Sequence, residues 1–439
     1  MTEPQPLSIH LHALRECLDC GLFQTVPPTP AGSDARCLCC DAILRRVRHD
    51  ALVRPLALAL AGLALYAVAI SLPFMGLELD GFGRATTLPA SAAALDSHGA
   101  WQLATVLALT VLVMPGVKLL VLASVLLGLR LKRPPRLLVH LFRAYTWIGP
   151  WAMVEVYLLG VLVAYSRLSA MATVQLGPAL YALGGLMLVT VMADIALDRH
   201  AIWEALDRRG VRHGPTPQGA LPIACPTCSL VSRTPGDGRA TCPRCGTRLR
   251  QRKRNSLVRT WSLIAAAAIM YVPANLYPVM LITYFGRSHP STILAGVQEL
   301  AAAGEWPLAL LVFAASITVP LLKLCGLVLM LLSVHLRWAW RLRDRTRLYR
   351  IVEVIGRWSM IDIFMLSLLV ALVRMGLLAS VQPDIGAVCF AAVVILTMLA
   401  AASFDPRLMW DAAAARQPRR PVWQRWRRRS PAMPGPARR

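Results

Sequence analysis

Eight long apolar stretches alternate with polar segments along the chain. They run Leu56–Met75, Trp101–Leu129, Ile148–Tyr165, Leu176–Leu197, Trp261–Ile282, Trp306–Val334, Trp358–Leu378 and Ile385–Phe404. A helix needs about 20 apolar residues to cross about 30 Å of hydrocarbon. The pattern therefore predicts eight transmembrane helices. None has the form of a cleaved signal peptide, because the first follows a polar, cysteine-bearing segment and not a short basic leader.

The polar segments differ sharply in charge. The N-terminus, the second, fourth and sixth connections and the C-terminal tail hold 6, 5, 13, 7 and 10 basic residues. The opposite connections hold only Arg84, Arg167 and Arg287, and Lys118, Lys323 and Arg374 fall inside apolar stretches. Basic loops stay in the cytoplasm, so both termini are expected there. Composition agrees with a membrane protein: 56% of the 439 residues are hydrophobic and 16% charged, against about 45–50% and about 25% in soluble domains. The net charge of +24 is accounted for by topology and anionic lipid, not by nucleic acid.

The two halves of the chain match. Cys37 and Cys40 recur as Cys242 and Cys245, and Tyr66, Pro73 and Met75 as Tyr271, Pro278 and Met280. Gly99, Trp101, Pro115 and Lys118 recur as Gly304, Trp306, Pro320 and Lys323, all 205 residues on. From there the offset is 207. Gly149, Trp151, Met153 and Glu155 meet Gly356, Trp358, Met360 and Asp362, and Asp198, Trp203 and Glu204 meet Asp405, Trp410 and Asp411. The expected fold is an all-α polytopic membrane protein made of two parallel four-helix repeats, each preceded by a small cytoplasmic rubredoxin-like zinc ribbon. Its segments are a first ribbon (1–50), a four-helix unit (51–205), a second ribbon (206–255), a second unit (256–411) and a basic tail (412–439).

Cys17, Cys20, Cys37 and Cys40 form one module, and Cys225, Cys228, Cys242 and Cys245 the other. Two C-x-x-C knuckles supply the four thiolates of a tetrahedral structural zinc site and leave no open position for catalysis. The second module is the more regular, with Gly246 after its last ligand. The first carries Cys39 as a competing thiol and Asp41 in the glycine's place. Iron on the same thiolates, with an electron-transfer role, is the rival reading. Cys325 and Cys389 are expected to be packing residues. The Trp residues at 101, 151, 306 and 358 fit an interfacial belt. Tyr66 and Tyr271 with their prolines fit a helix end near the outer face.

Ionisable groups in hydrocarbon cost several kcal/mol unless paired or wet. Lys118 lies about 16 Å and Glu155 about 10 Å from the cytoplasmic helix ends at 1.5 Å per residue. The expected pairs are Lys118–Glu155 and Lys323–Asp362, with Asp194 a further member of the first set. Such pairs either fix helix packing or line a cavity that handles substrate or protons, and the second unit is expected to carry the working site.

The doubled cysteine module and four-helix unit, the P-x-x-K stretches at Pro115–Lys118 and Pro320–Lys323, and the S-F-D-P-R-L-M-W-D run from Ser403 to Asp411 resemble the paraquat-inducible protein A family. The first unit departs from that run, with A-L-D-R-H-A-I-W-E from Ala196 to Glu204. The resemblance implies a bacterial inner-membrane protein that is not an enzyme. It implies work beside a periplasm-spanning MCE-domain protein, with membrane lipids as substrate. A monomeric subunit is expected. The alternatives are a proton-coupled small-solute transporter and an iron redox protein. The chain holds no Walker-type nucleotide loop.

Overall fold

The structure is a computed structural model that describes residues 14–27, 29–79, 82–97, 99–169, 173–215, 217, 219–235, 240–284, 287–373 and 379–416. Arg374 and the tail beyond Arg416 lie outside these residues.

The first module is two short hairpins, β1 (Leu14–Glu16) with β2 (Phe23–Thr25) and β3 (Asp34–Arg36) with β4 (Ile43–Arg46). Helix α1 (Val53–Ser71) then leads to the hairpin β5 (Met75–Leu79) and β6 (Phe82–Thr86), and to α2 (Leu88–Ser97). α3 (Trp101–Leu107) and α4 (Met114–Gly128) follow, joined by a π-helical stretch at Ala108–Val113. α5 (Leu137–Ile148) and α6 (Val154–Ser169) flank a 3₁₀ break at Gly149–Trp151. β7 (Thr173–Leu176), α7 (Pro178–Ala196) and α8 (Arg199–Arg208) close the first half.

The second module has β8 (Leu221–Ala224) and β9 (Val231–Thr234). The same order of elements then recurs: α9 (Ser256–Leu276), β10 (Met280–Tyr284), β11 (Arg287–Ser291), α10 (Ile293–Ala302) and α11 (Trp306–Phe313). After π-helical Ala314–Thr318 come α12 (Val319–His335), α13 (Leu342–Ile355), 3₁₀ Gly356–Met360 and α14 (Ile361–Leu372). β12 (Ala379–Pro383), α15 (Ile385–Ser403) and α16 (Arg407–Arg416) end it.

Among the described residues, eight helical spans are long and apolar enough to cross a membrane. Two differ from expectation. The third and seventh begin earlier, at Leu137 and Leu342, because α5 and α13 are amphipathic extensions whose charged positions hid them from a run of apolar residues. The seventh helix ends at Leu372, and 374–378 lie outside the described residues. α16 extends five residues into the stretch expected as tail.

The fold is not purely helical. β5 pairs antiparallel with β6 and with β7, and β10 likewise with β11 and β12. Each three-stranded sheet ties the first and third connections of its half together. About 28 Å of α1, at 1.5 Å per residue, separates the first sheet from the first cysteine module.

The π-helical stretches explain the prolines. Pro115 and Pro320 have no N–H to give, so a carbonyl in the preceding turn loses its partner. Tyr66 Oη donates to the Leu112 carbonyl, and Tyr271 Oη to the Ile317 carbonyl at 3.5 Å. Met153 N donates to the Thr110 carbonyl at 3.3 Å. Tyr66 and Tyr271 thus bond carbonyls of the π-helical stretches from a neighbouring helix, a role more specific than the helix end expected.

The core where the halves meet is built on α6 and α14. The Tyr157 and Phe364 rings, at matching positions, touch edge to face with centroids 5.6 Å apart. Gly160 lets the backbones approach: a Cβ there would lie 3.0 Å from Phe364 Cβ and 3.2 Å from the Ile361 carbonyl oxygen.

Candidate functional site

Each cysteine module closes on four buried sulfurs that lie within 4.8 Å of one another. Sγ atoms sit 3.4 Å apart for Cys17–Cys40 and 3.6 Å for Cys20–Cys37. They sit 3.3 Å apart for Cys225–Cys245 and 3.5 Å for Cys228–Cys242. Tetrahedral zinc with bonds of about 2.3 Å needs edges of about 3.8 Å, so the sulfur cages fit such an ion after a few tenths of an ångström of expansion.

All four knuckles share one turn. The residue after the second cysteine is left-handed: Gly21 at φ 75°, Asp41 at 60°, Ser229 at 55° and Gly246 at 73°. Its N–H donates to the carbonyl of the first cysteine at 2.8–3.0 Å. Asp41 therefore does not make the first module irregular. Aspartate tolerates this region better than most residues, and the second module has its own exception in Ser229.

The modules dock crosswise. The second module shares a core with the first half, where its cysteines pack among Phe142, Ile202, Trp203 and Leu206. Arg244 pairs with Asp207 on α8 at 3.1 Å. The first module spans both halves: it meets α8 of the first half through Arg45 and Glu204 at 3.4 Å, and α13 and α16 of the second. Arg350 on α13 meets Asp19 at 2.7 Å and the Cys40 carbonyl at 3.1 Å. Arg407 Nη1 reaches Glu16 Oε1 at 3.0 Å and binds Asp405 through two nitrogens at 3.0 Å each. Burial opposes the Asp405 charge, but the Arg407 guanidinium outweighs it and holds this carboxyl below its usual range. Glu16 also accepts the Ala224 N–H of the second module at 3.2 Å.

His200 stands where the second half has Arg407. Burial first, then the charge of Arg15, pushes it down to about 4, so it is neutral at pH 7. Its Nε2 donates to the Leu44 carbonyl at 3.2 Å.

The two intramembrane lysines are treated differently. Lys118 Nζ meets Asp194 Oδ2 at 2.7 Å, and Tyr145 Oη donates to Oδ1 at 2.9 Å. The carboxylate that takes Lys118 is Asp194, where Glu155 was expected first. Glu155 lies in the first turn of α6, just beyond the 3₁₀ break. A carboxylate is favoured there by the helix dipole. Asp362 holds the matching first-turn position on α14 and is buried.

Lys323 is 2% exposed. It donates to the Gly356 carbonyl at 3.3 Å, in the 3₁₀ break, and no carboxylate among the described residues lies within ion-pair distance of it. The expected Lys323–Asp362 contact is thus replaced by a backbone carbonyl on the same break. The positions matching Tyr145 and Asp194 are Val352 and Ala401, so the second half lacks the groups that neutralise Lys118.

Sequence reasoning missed Tyr145, Arg143, Arg350, Glu16 and Arg407. The two α-helical arginines obey the 207-residue offset and sit six residues before Gly149 and Gly356. In the sequence they read only as topology charges.

Comparison with known proteins agrees in direction. A family described as Paraquat-inducible protein A matches residues 52–207 and 257–414. The chain is 35% identical to the Escherichia coli K12 protein named Intermembrane transport protein PqiA, over 92% of this chain and 97% of that one. It is 30% identical to the E. coli K12 Lipophilic envelope-spanning tunnel protein A, over 91% of each. A Haemophilus influenzae protein named Probable intermembrane transport protein is 28% identical over 90% of this chain and 95% of its own length. No solved structure matches the chain.

Proposed function

The chain belongs to the paraquat-inducible protein A family, and from that premise we propose that it is the inner-membrane component of an intermembrane lipid transport system. It hands lipid to or from an MCE-domain protein that bridges the periplasm, and catalyses no covalent reaction. The names of the relatives support intermembrane transport. The lipid and the partner are our reading.

The chain works as two parallel four-helix units with both termini and both cysteine modules in the cytoplasm. The 41-to-3 distribution of basic residues supports this orientation. Each module holds one structural zinc through Cys17, Cys20, Cys37 and Cys40 or through Cys225, Cys228, Cys242 and Cys245. The full thiolate shell supports structural metal. When bound, zinc supplies a rigid cross-link.

The working polar site is the helix break of the second unit, where Lys323 and Asp362 act together. Lys118, Glu155 and Asp194 belong to its counterpart in the first unit. The observation that carries this reading is the burial of Lys323 against the Gly356 carbonyl. Broken helices and ionisable groups inside membranes mark transport sites. The protein purified from membranes should carry about two zinc per chain with negligible iron, together with bound phospholipid. Iron at one equivalent or more would favour the redox reading. A reporter fused after Ser288 should lie in the periplasm, and a cytoplasmic signal there would break the two-by-four topology.

A further inference from the structure

Two corresponding hollows lie against the modules, and they differ in the charge of their linings. Under the first module, Arg350 of α13 is met by Asp19 at 2.7 Å, and Asp41 follows the last cysteine. Under the second, Arg143 of α5 takes the Arg350 position and donates weakly to the Cys245 carbonyl at 3.5 Å. There Thr227 stands in the place of Asp19 and Gly246 in the place of Asp41.

The second hollow measures about 710 Å³ and is lined by His140, Arg143 and Trp147 of α5 and by Thr227, Thr247 and Arg248 of the module. The two threonine hydroxyls lie 3.1 Å apart. No carboxylate is among its described lining residues, and Arg143 makes no ion pair among the described residues. Where one half supplies its arginine with an internal anion, the other presents the same arginine and a second arginine beside a threonine pair.

Position tells which anion. The helical span that starts with α5 is 30 residues long, about 45 Å at 1.5 Å per residue. That exceeds the roughly 30 Å hydrocarbon core, so part of α5 lies at headgroup level. Trp147, one turn beyond Arg143, is 69% exposed, as aromatic residues at a membrane interface are. Guanidinium groups bind phosphate oxygens in bidentate fashion, and basic clusters at the surface attract anionic lipid.

We propose that this hollow binds the phosphate of an anionic phospholipid headgroup, with Arg143 and Arg248 as its cationic ligands and Thr227 as a hydroxyl donor, its neighbour Thr247 being held by the Cys245 sulfur at 3.3 Å. The site lies apart from Lys323 and requires only that the helices cross a bilayer.

The test uses the full-length protein in detergent micelles doped with phosphatidylglycerol or phosphatidylcholine, with lipid retention read by native mass spectrometry and the unfolding midpoint alongside. Phosphatidylglycerol should be retained and raise the midpoint, and phosphatidylcholine should do neither. Arg143→Gln and the exposed-site variant Arg248→Gln should each weaken retention about tenfold, the loss of one charge-assisted hydrogen bond. Thr227→Asp, which transplants the other half's acid, should abolish retention and keep the lipid-free midpoint at or above that of the unaltered protein. Equal retention by Thr227→Asp, or by Arg248→Gln should Thr227→Asp fail to fold, would overturn the proposal. Displacement by inorganic phosphate at matching concentration would overturn it in favour of a soluble anion.

Discussion

Lys118 and Lys323 occupy matching positions on matching helices, each three residues after a proline and five after the end of a π-helical stretch. Their surroundings have diverged. Lys118 lies against Asp194, and Tyr145 braces the same carboxylate. The Asp194 side chain is 45% exposed. Lys323 is buried against the helix break, with Val352 and Ala401 where the other half has tyrosine and aspartate. One lysine is neutralised within its own bundle. The other donates to a backbone carbonyl of the helix break. The same position thus meets a carboxylate in one half and a backbone carbonyl in the other.

The modules extend the comparison. Loss of a cysteine should have the largest effect, because metal binding and folding are coupled in such ribbons. It should be unequal between halves. The second module's sulfurs are part of a core that reaches Phe142 and Trp203, whereas the first forms a small cluster of its own beside Trp410. Cys242→Ser should therefore remove most folded protein on an immunoblot, and Cys37→Ser should leave a larger fraction. Equal losses would show that the two docking surfaces carry equal weight.

The α6–α14 contact should come next. Gly160→Val drives a side chain into Phe364 and the Ile361 carbonyl, and overpacking of this kind costs about 1–3 kcal/mol. Its matching residue is Ser367, whose hydroxyl bonds the Phe364 carbonyl at 2.6 Å. Ser367→Ala removes one small hydrogen bond and should lower the unfolding midpoint less.

Between the arginines the order is also set. Arg350→Gln strands Asp19 and loosens the Cys40 carbonyl, at about 1.5–3 kcal/mol for hydrogen bonds to charged groups. Arg143→Gln gives up only the 3.5 Å contact to Cys245. Without lipid it should shift the midpoint less than Arg350→Gln does. The smallest effect expected is that of Tyr271→Phe, whose bond to Ile317 is long at 3.5 Å. Tyr66→Phe should cost more, about 1 kcal/mol.

Much of this architecture is visible in the sequence. Hydropathy marks the eight spans because helices in lipid must be apolar along their length, and C-x-x-C spacing marks the sulfur cages. The sheets escape notice because strands such as β11, with its Arg287 and Pro290, carry no alternating pattern. The lysine partner was misplaced for a geometric reason. Counting residues from a helix end gives depth but not direction, and the 3₁₀ break at Gly149–Trp151 resets the face on which Glu155 emerges. Asp194, 76 residues from Lys118, comes from a different helix. The crossed docking joins residues as distant as Glu16 and Arg407, which no local pattern encodes.

The division of labour between the two lysines is most directly tested by Lys323→Met and Lys118→Met, each expressed in a strain lacking the protein and its redundant relatives. Protein abundance and lipid-dependent envelope integrity are then measured together. Lys323→Met should abolish function at near-normal abundance, as should Asp362→Asn. Lys118→Met should retain function, because the half-exposed Asp194 keeps Tyr145 and water. Normal function in Lys323→Met, or a greater loss in Lys118→Met at equal abundance, would contradict the assignment of the working site to the second half.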